Sequence, residues 1–237
     1  MLKPLTGIIA LWVAGVGGVA YLLGAPDTFY AAVAHGARQL MPAHFKKMLE
    51  HRRGPMAAGL QPSPVADDRL IEQIEARAQN LKARLAENVP FSAVAAEYGV
   101  LARLIAELGD PSRPAAGPPH EALRREWHAL LEKRHGKLPV VFYGYEATLF
   151  QERRLRAYLE SVDQRARSAG EQLARTYAPD GRLRPFADAD ERSPAFGIAA
   201  LYYSHTISDV ANVWLYIWWE SYGDVRGTPF FDVTARP

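Results

Sequence analysis

His128 and Glu132 stand four residues apart in EALRREWHALLEKR, a stretch that reads as a helix, so an imidazole and a carboxylate share one face. That is a legitimate two-ligand geometry for a divalent ion. His120, in the loop just before, supplies a third ligand, and three protein ligands suit a hydrolytic zinc. The plainer alternative is a solvated His–Glu pair one turn apart. Cysteine is absent, which excludes disulfides and thiolate sites and leaves His, Asp and Glu as the only metal ligands.

Arg103 and Glu107 form a second constellation, again at i and i+4 and able to pair with each other, with Arg113 following beyond a Gly-Asp-Pro turn. Arginine cannot coordinate zinc, because guanidinium carries only donors and stays charged. Its fork does suit phosphate and carboxylate, which makes Arg103 and Arg113 candidate anion-binding residues. An ordinary surface pair is the alternative.

His205 and Asp209 repeat the spacing within residues 196–223, a stretch apolar on nearly every side. A helix apolar all round lies inside a domain or a membrane. A span would bury His205, Ser208, Asp209 and Asn212 together at high cost. These four share one face, so the stretch is expected to be the central helix of a bundle. His205 and Asp209 then either satisfy a buried hydrogen bond or reach across to Arg103 or Arg113. The aromatic series Trp214, Tyr216, Trp218, Trp219 and Tyr222 reads as core and rim packing.

Periodicity places the remaining helices at about 28–49 (interrupted by Pro42), 67–87, 91–108, 121–135 and 146–177. Residues 54–64 read as a loop by their Gly and Pro content, and the helix at 67–87 carries an apolar stripe of Leu70, Ile74, Leu81 and Leu85. No alternation long enough for a substantial strand is present, so the class is all-α. A net charge of +2 on 237 residues does not argue for nucleic acid, and no nucleic-acid partner is expected.

Residues 5–23 run nineteen positions without a charge, long enough to cross a bilayer. Lys3 precedes the run and Asp27 is the next charge, an asymmetry that puts the bulk of the chain outside the cytoplasm. The basic cluster Lys46, Lys47, Arg52, Arg53 counts against that orientation. A cleaved signal peptide is the competitor. Residues 1–26 are therefore expected to be a membrane anchor or uncleaved signal, and 27–237 a periplasmic or other extracytoplasmic helical domain. Ala10, Ala14 and Gly18 have the spacing by which membrane helices approach closely, which offers a face to a membrane-protein partner; chance spacing is the alternative.

The stretch YGVLARLIAELGDPSR at 98–113 resembles the helix–loop of the zinc-dependent phospholipase C / S1-P1 nuclease superfamily, whose pattern is roughly G-x-x-x-H-x-x-x-D-x-x-x-P-x-H. Gly99 and Pro111 keep their places, while the three ligand positions fall on Arg103, Glu107 and Arg113. His128 and Glu132 match the family's His-x-x-x-Glu pair. The loop at 59–63 is similar to one ending in a metal-binding Asp, with Ser63 there instead, and Tyr30 falls where the early ligand His stands. The last helix resembles the family's, its aromatic run ending in Tyr222-Gly223-Asp224. The resemblance covers most of 28–224, in short scattered motifs.

It implies a multi-helix bundle of the phospholipase C/P1 nuclease type, in which a three-zinc cluster hydrolyses phosphodiesters of phospholipids or single-stranded nucleic acids. The substitutions imply a centre that has lost its zinc, with arginine charge standing in for metal charge beside the remaining carboxylates. The expected function is a membrane-anchored, non-catalytic binding or scaffold domain without cofactor, such as an accessory subunit of a membrane complex. The alternative is a zinc-dependent phosphodiesterase with a reduced site at His120, His128 and Glu132.

Overall fold

The computed structural model describes residues 28–61, 69–87, 89–113, 118–177, 186 and 189–231, excluding the side chains of 118–120. The apolar run at 5–23 and Ser63 lie outside the described residues. Among those that are described, no helix is long and apolar enough to cross a membrane. All regular structure in the described residues is helical: α1 (Thr28–Gln39), α2 (Ala43–Glu50), α3 (Arg53–Gly59), α4 (Leu70–Ala86), α5 (Phe91–Leu108), α6 (Pro118–Arg134), α7 (Ala147–Phe150), α8 (Leu155–Tyr177) and α9 (Pro194–Glu220), with a 3-10 turn at His135–Lys137.

The 27-residue α9 is the axis of the bundle, contacting α1, α4, α5, α7 and α8. Ser193 opens it, its hydroxyl accepting the Phe196 N–H at 3.2 Å, and Pro194 follows in the first turn, where a missing N–H costs nothing. From Thr206 to Trp219 every residue is buried. Trp214 donates its indole N–H to Tyr98 O at 3.0 Å, and Trp218 stacks on Phe45 at 4.5 Å. Of the aromatic series only Tyr222 is exposed.

A buried helix must partner its own polar side chains. Ser204, Ser208 and Asn212, four residues apart, do so against the extended segment 139–146. Val141 N–H donates to Ser204 Oγ (3.1 Å), Tyr143 N–H to Ser208 Oγ (3.2 Å) and Glu146 N–H to Asn212 Oδ1 (2.9 Å). Four residues of helix rise about 6 Å and two of extended chain about 6.6 Å, so the two repeats stay in step over this length. Gly144, at φ +90°, lets the paired amides pass from odd to even positions, and its own carbonyl accepts from Asn212 Nδ2 at 3.1 Å.

The interruption expected at Pro42 is a break at 40–42 between two helices. Two boundaries differ from the sequence expectation. The 146–177 helix is two, separated at 151–154, where Arg153 takes φ 56°. Residues 54–59, expected to be loop, lie in helix α3. Their glycine serves close approach: a Cβ on Gly59 would lie 2.0 Å from Ala96 O, and one on Gly99 would lie 2.1 Å from Met56 O. The backbones of α3 and α5 touch at these two positions.

Substitution separates the two uses of glycine. Gly99→Ala, forced against backbone, is expected to lose about 3 kcal/mol or fail to fold. Gly54→Ala, with nothing within 4 Å of its Cβ, should be neutral or stabilising by about 0.5–1 kcal/mol. Urea unfolding of the two variants measures both, and equal effects would contradict the close contact.

Candidate functional site: a chain of closed ion pairs beside α9

Arg103 and Glu107 do pair, Nε to Oε1 at 2.7 Å, on the part of α5 that faces α1 and the end of α3. Arg103 Nη1 also donates to Leu60 O at 3.1 Å, and its guanidinium lies over the Tyr30 ring, 4.2 Å from the centroid. Three positions singled out by the resemblance, Tyr30, Arg103 and Glu107, are thus brought together, with the start of the 59–63 loop against them. Both charged side chains are largely buried.

The turn after α5 builds a second unit. Asp110 is buried, and its Oδ1 accepts from Ser112 N–H and Ser112 Oγ, both at 2.7 Å, the turn that Asp-Pro-Ser favours. His128 Nε2 lies 2.9 Å from Asp110 Oδ2. Burial pushes the Asp110 carboxyl up, but the hydrogen bond and charge of His128 and the two bonds from Ser112 outweigh it and hold it below the ordinary range. An ionised carboxylate only accepts, so Nε2 carries the proton. Ser112 donates to the carboxylate and not to the imidazole, which is not the geometry of an activated serine nucleophile.

Arg113 pairs with Asp163 of α8, and Asp163 also accepts from Arg167 Nε at 2.8 Å. Glu132, four residues from His128, does something different: it accepts Phe29 N–H on Oε1 (3.0 Å) and Thr28 N–H on Oε2 (3.1 Å), with the Thr28 hydroxyl on the same oxygen. It caps α1. Tyr202 of α9 ties the units together, donating to Ala106 O at 2.8 Å; burial first, then the nearby Asp110, Tyr30 and Glu107, keep its hydroxyl protonated.

His205 and Asp209 belong to the other flank of α9. Asp209 accepts from Tyr158 OH at 2.8 Å and Arg165 Nη2 at 2.5 Å, so its partners are on α8 and are neither Arg103 nor Arg113. Burial raises the Asp209 carboxyl despite Arg165 and Tyr158. His205 stacks on Tyr143 at 4.1 Å, and burial together with Arg165 pushes it down to about 4. A cavity of about 190 Å³ opens here, with Arg165, Ser168, Gln172 and His205 among its lining residues.

His128 Nε2 is turned to Asp110 and both oxygens of Glu132 to the start of α1, and among the described residues no group of three or more His, Asp or Glu is placed to hold a metal ion. The side chain of His120 lies outside the described residues. Arg103 gives donors to Glu107 and Leu60 O, and Arg113 gives Nη2 to Asp163 and Leu108 O, while among the described residues Arg113 Nε is buried without a hydrogen-bond partner.

Sequence reasoning missed Asp110, Ser112, Tyr158, Asp163 and Arg165. The Asp-Pro-Ser turn and the i,i+4 pair Asp163–Arg167 were readable signals; nothing local points from Arg165 to Asp209. In comparisons with known proteins, no family model matches the chain, and neither a curated protein nor a solved structure matches it.

Asp110 sets an acid limb. Its folded value is below the ordinary one of about 3.9, so its contribution to stability is complete above that pH and is lost as pH falls through the folded value. Asp110→Asn should be less stable at neutral pH by about 1–3 kcal/mol and should show a shallower loss as pH falls below about 4. Urea titrations across that range measure it; an acid limb as steep as that of the unaltered chain would remove Asp110 as its source.

Proposed function

We propose that the chain is a non-catalytic binding or scaffold domain of the phospholipase C/P1 nuclease type, held at a membrane by residues 5–23 with its helical part extracytoplasmic. The observation that carries this reading is the Arg103–Glu107 pair at 2.7 Å, seated over Tyr30. At positions where the resembled family holds zinc, this chain places a cation and a carboxylate that satisfy each other. Fixed positive charge does for Glu107 what a dication would do, without leaving an open coordination position. Asp110 with His128 and Asp163 with Arg113 repeat the arrangement, and they leave no described carboxylate of the cluster to polarise a water. A domain closed in this way presents a fixed outer surface, as a scaffold or an accessory subunit of a membrane complex requires.

The purified full chain should carry no stoichiometric zinc and should turn over neither a short-chain phosphatidylcholine nor single-stranded DNA. Arg103→Met, which removes the guanidinium paired with Glu107, should cost about 2–4 kcal/mol in urea unfolding. Stoichiometric zinc that disappears with His128→Ala, together with turnover of either substrate, would replace this reading with a phosphodiesterase using His120, His128 and Glu132.

A further inference from the structure

The groove between α2 and the start of α5 lies outside the ion-pair chain and has a different character. It encloses about 380 Å³ and is lined by His44, Lys47, Met48, His51, Arg52 and Phe91. At about 30 Å³ per water, that is room for roughly a dozen waters. Among the described residues no acidic one lines it, and Asp224 lies close enough for His44 to help lower its carboxyl. Residues 43–53 contain Lys46, Lys47, Arg52 and Arg53 against the single carboxylate Glu50, which faces Arg38 at 4.0 Å. The cationic field reaches round the helix: His35 is pushed down by burial and then by Arg38, Arg53 and Lys46. His51 Nδ1 is 2.7 Å from Lys47 O and Arg52 Nη1 donates to His51 O at 3.2 Å, so the helix end is organised by its own backbone.

Cations at the mouth and a thioether and phenyl ring in the wall match an amphiphile with an anionic head. A free polyanion would have no use for Met48 and Phe91, whose side chains are only partly covered. We infer that this groove docks the headgroup of an anionic phospholipid, the phosphate held by Lys47, Arg52 and the two histidines and the first carbons of the chain against Met48 and Phe91. The inference rests on the membrane anchor of the proposed function. The apolar run at 5–23 ends five residues before α1 begins at Thr28, and α1 spans about 18 Å, which keeps α2 within reach of the bilayer surface. Basic residues near an anionic surface are attracted over about a Debye length, so the contact is salt-sensitive.

Because the chain lacks cysteine, Met48→Cys gives one attachment point for an environment-sensitive fluorophore in the full chain. The labelled protein is mixed with vesicles of phosphatidylcholine alone and of phosphatidylcholine with phosphatidylglycerol. Flotation with the neutral vesicles reports the anchor; the probe reports the groove. Docking should shift the emission to the blue and shield the probe from acrylamide only where phosphatidylglycerol is present, and high salt should reverse it. The triple variant K46Q/K47Q/R52Q should reduce the docked population on the order of 100-fold, about fivefold for each charge removed. A probe that responds equally to both vesicle types, or to neither, overturns the inference, as does a response unchanged in the triple variant. Inorganic phosphate producing the same emission shift without vesicles would assign the groove to free phosphate instead. Failure to float with neutral vesicles would remove the anchor while the probe still decides the groove.

Discussion

Burying a helix on all sides obliges its neighbours to match whatever polarity it carries. In α9 that obligation falls on Ser204, Ser208, Asp209 and Asn212, and it is met in two ways. The hydroxyls and the amide bond the backbone of 139–146, which is possible because four residues of helix and two of extended chain advance by nearly the same distance. The carboxylate of Asp209 instead takes a phenol and a guanidinium from α8. Segment 139–146 therefore has a fixed path without being part of a sheet, and α8 is fixed against α9 by charge as well as by apolar contact.

The long periodic helices were legible because their patterns are the direct image of burial. Residues Leu70, Ile74 and Leu81 face the core as their spacing requires, and 196–223 lies at the centre because nothing else could cover it. The α3 helix was not legible. Gly and Pro at 54–64 are turn-formers when only the local chain is considered, yet Gly59 and Gly99 are required by each other across forty residues of sequence. The same limit applies to chemistry. Arg103–Glu107 could be read because both ends lie on one helix, whereas Arg165–Asp209 and Asp110–His128 join different elements and leave no spacing to find. His128 and Glu132 show that a shared face does not oblige two side chains to share a partner: one meets Asp110 and the other the start of α1.

The directions in which Asp110 and Asp209 are shifted show how little separates a stabilising buried carboxylate from a costly one. Both are covered to a similar degree. Asp110 receives two hydrogen bonds from its own turn, at almost no entropic cost, and a third from His128, and ends below the ordinary range. Asp209 has one phenol and one guanidinium held by a long side chain and remains above it. His128 does most to lower Asp110 and the turn adds to it, so the more firmly ionised group sits next to the histidine, where a fixed negative charge also fixes the tautomer.

Three carboxylates of the central region each have an arginine, Glu107 with Arg103, Asp163 with Arg113 and Asp209 with Arg165, and Asp110 has the His128 N–H. A metal centre gathers carboxylates from several elements around one shared charge, so losing the metal leaves them all repelling one another. Pairwise neutralisation divides the same task into units that join at most two elements each: α5 within itself, the turn after α5 to α6, that turn to α8, and α8 to α9. No unit then depends on another for its charge balance. This pairing also leaves Glu107, Asp163 and Asp209 each facing an arginine rather than a shared central charge.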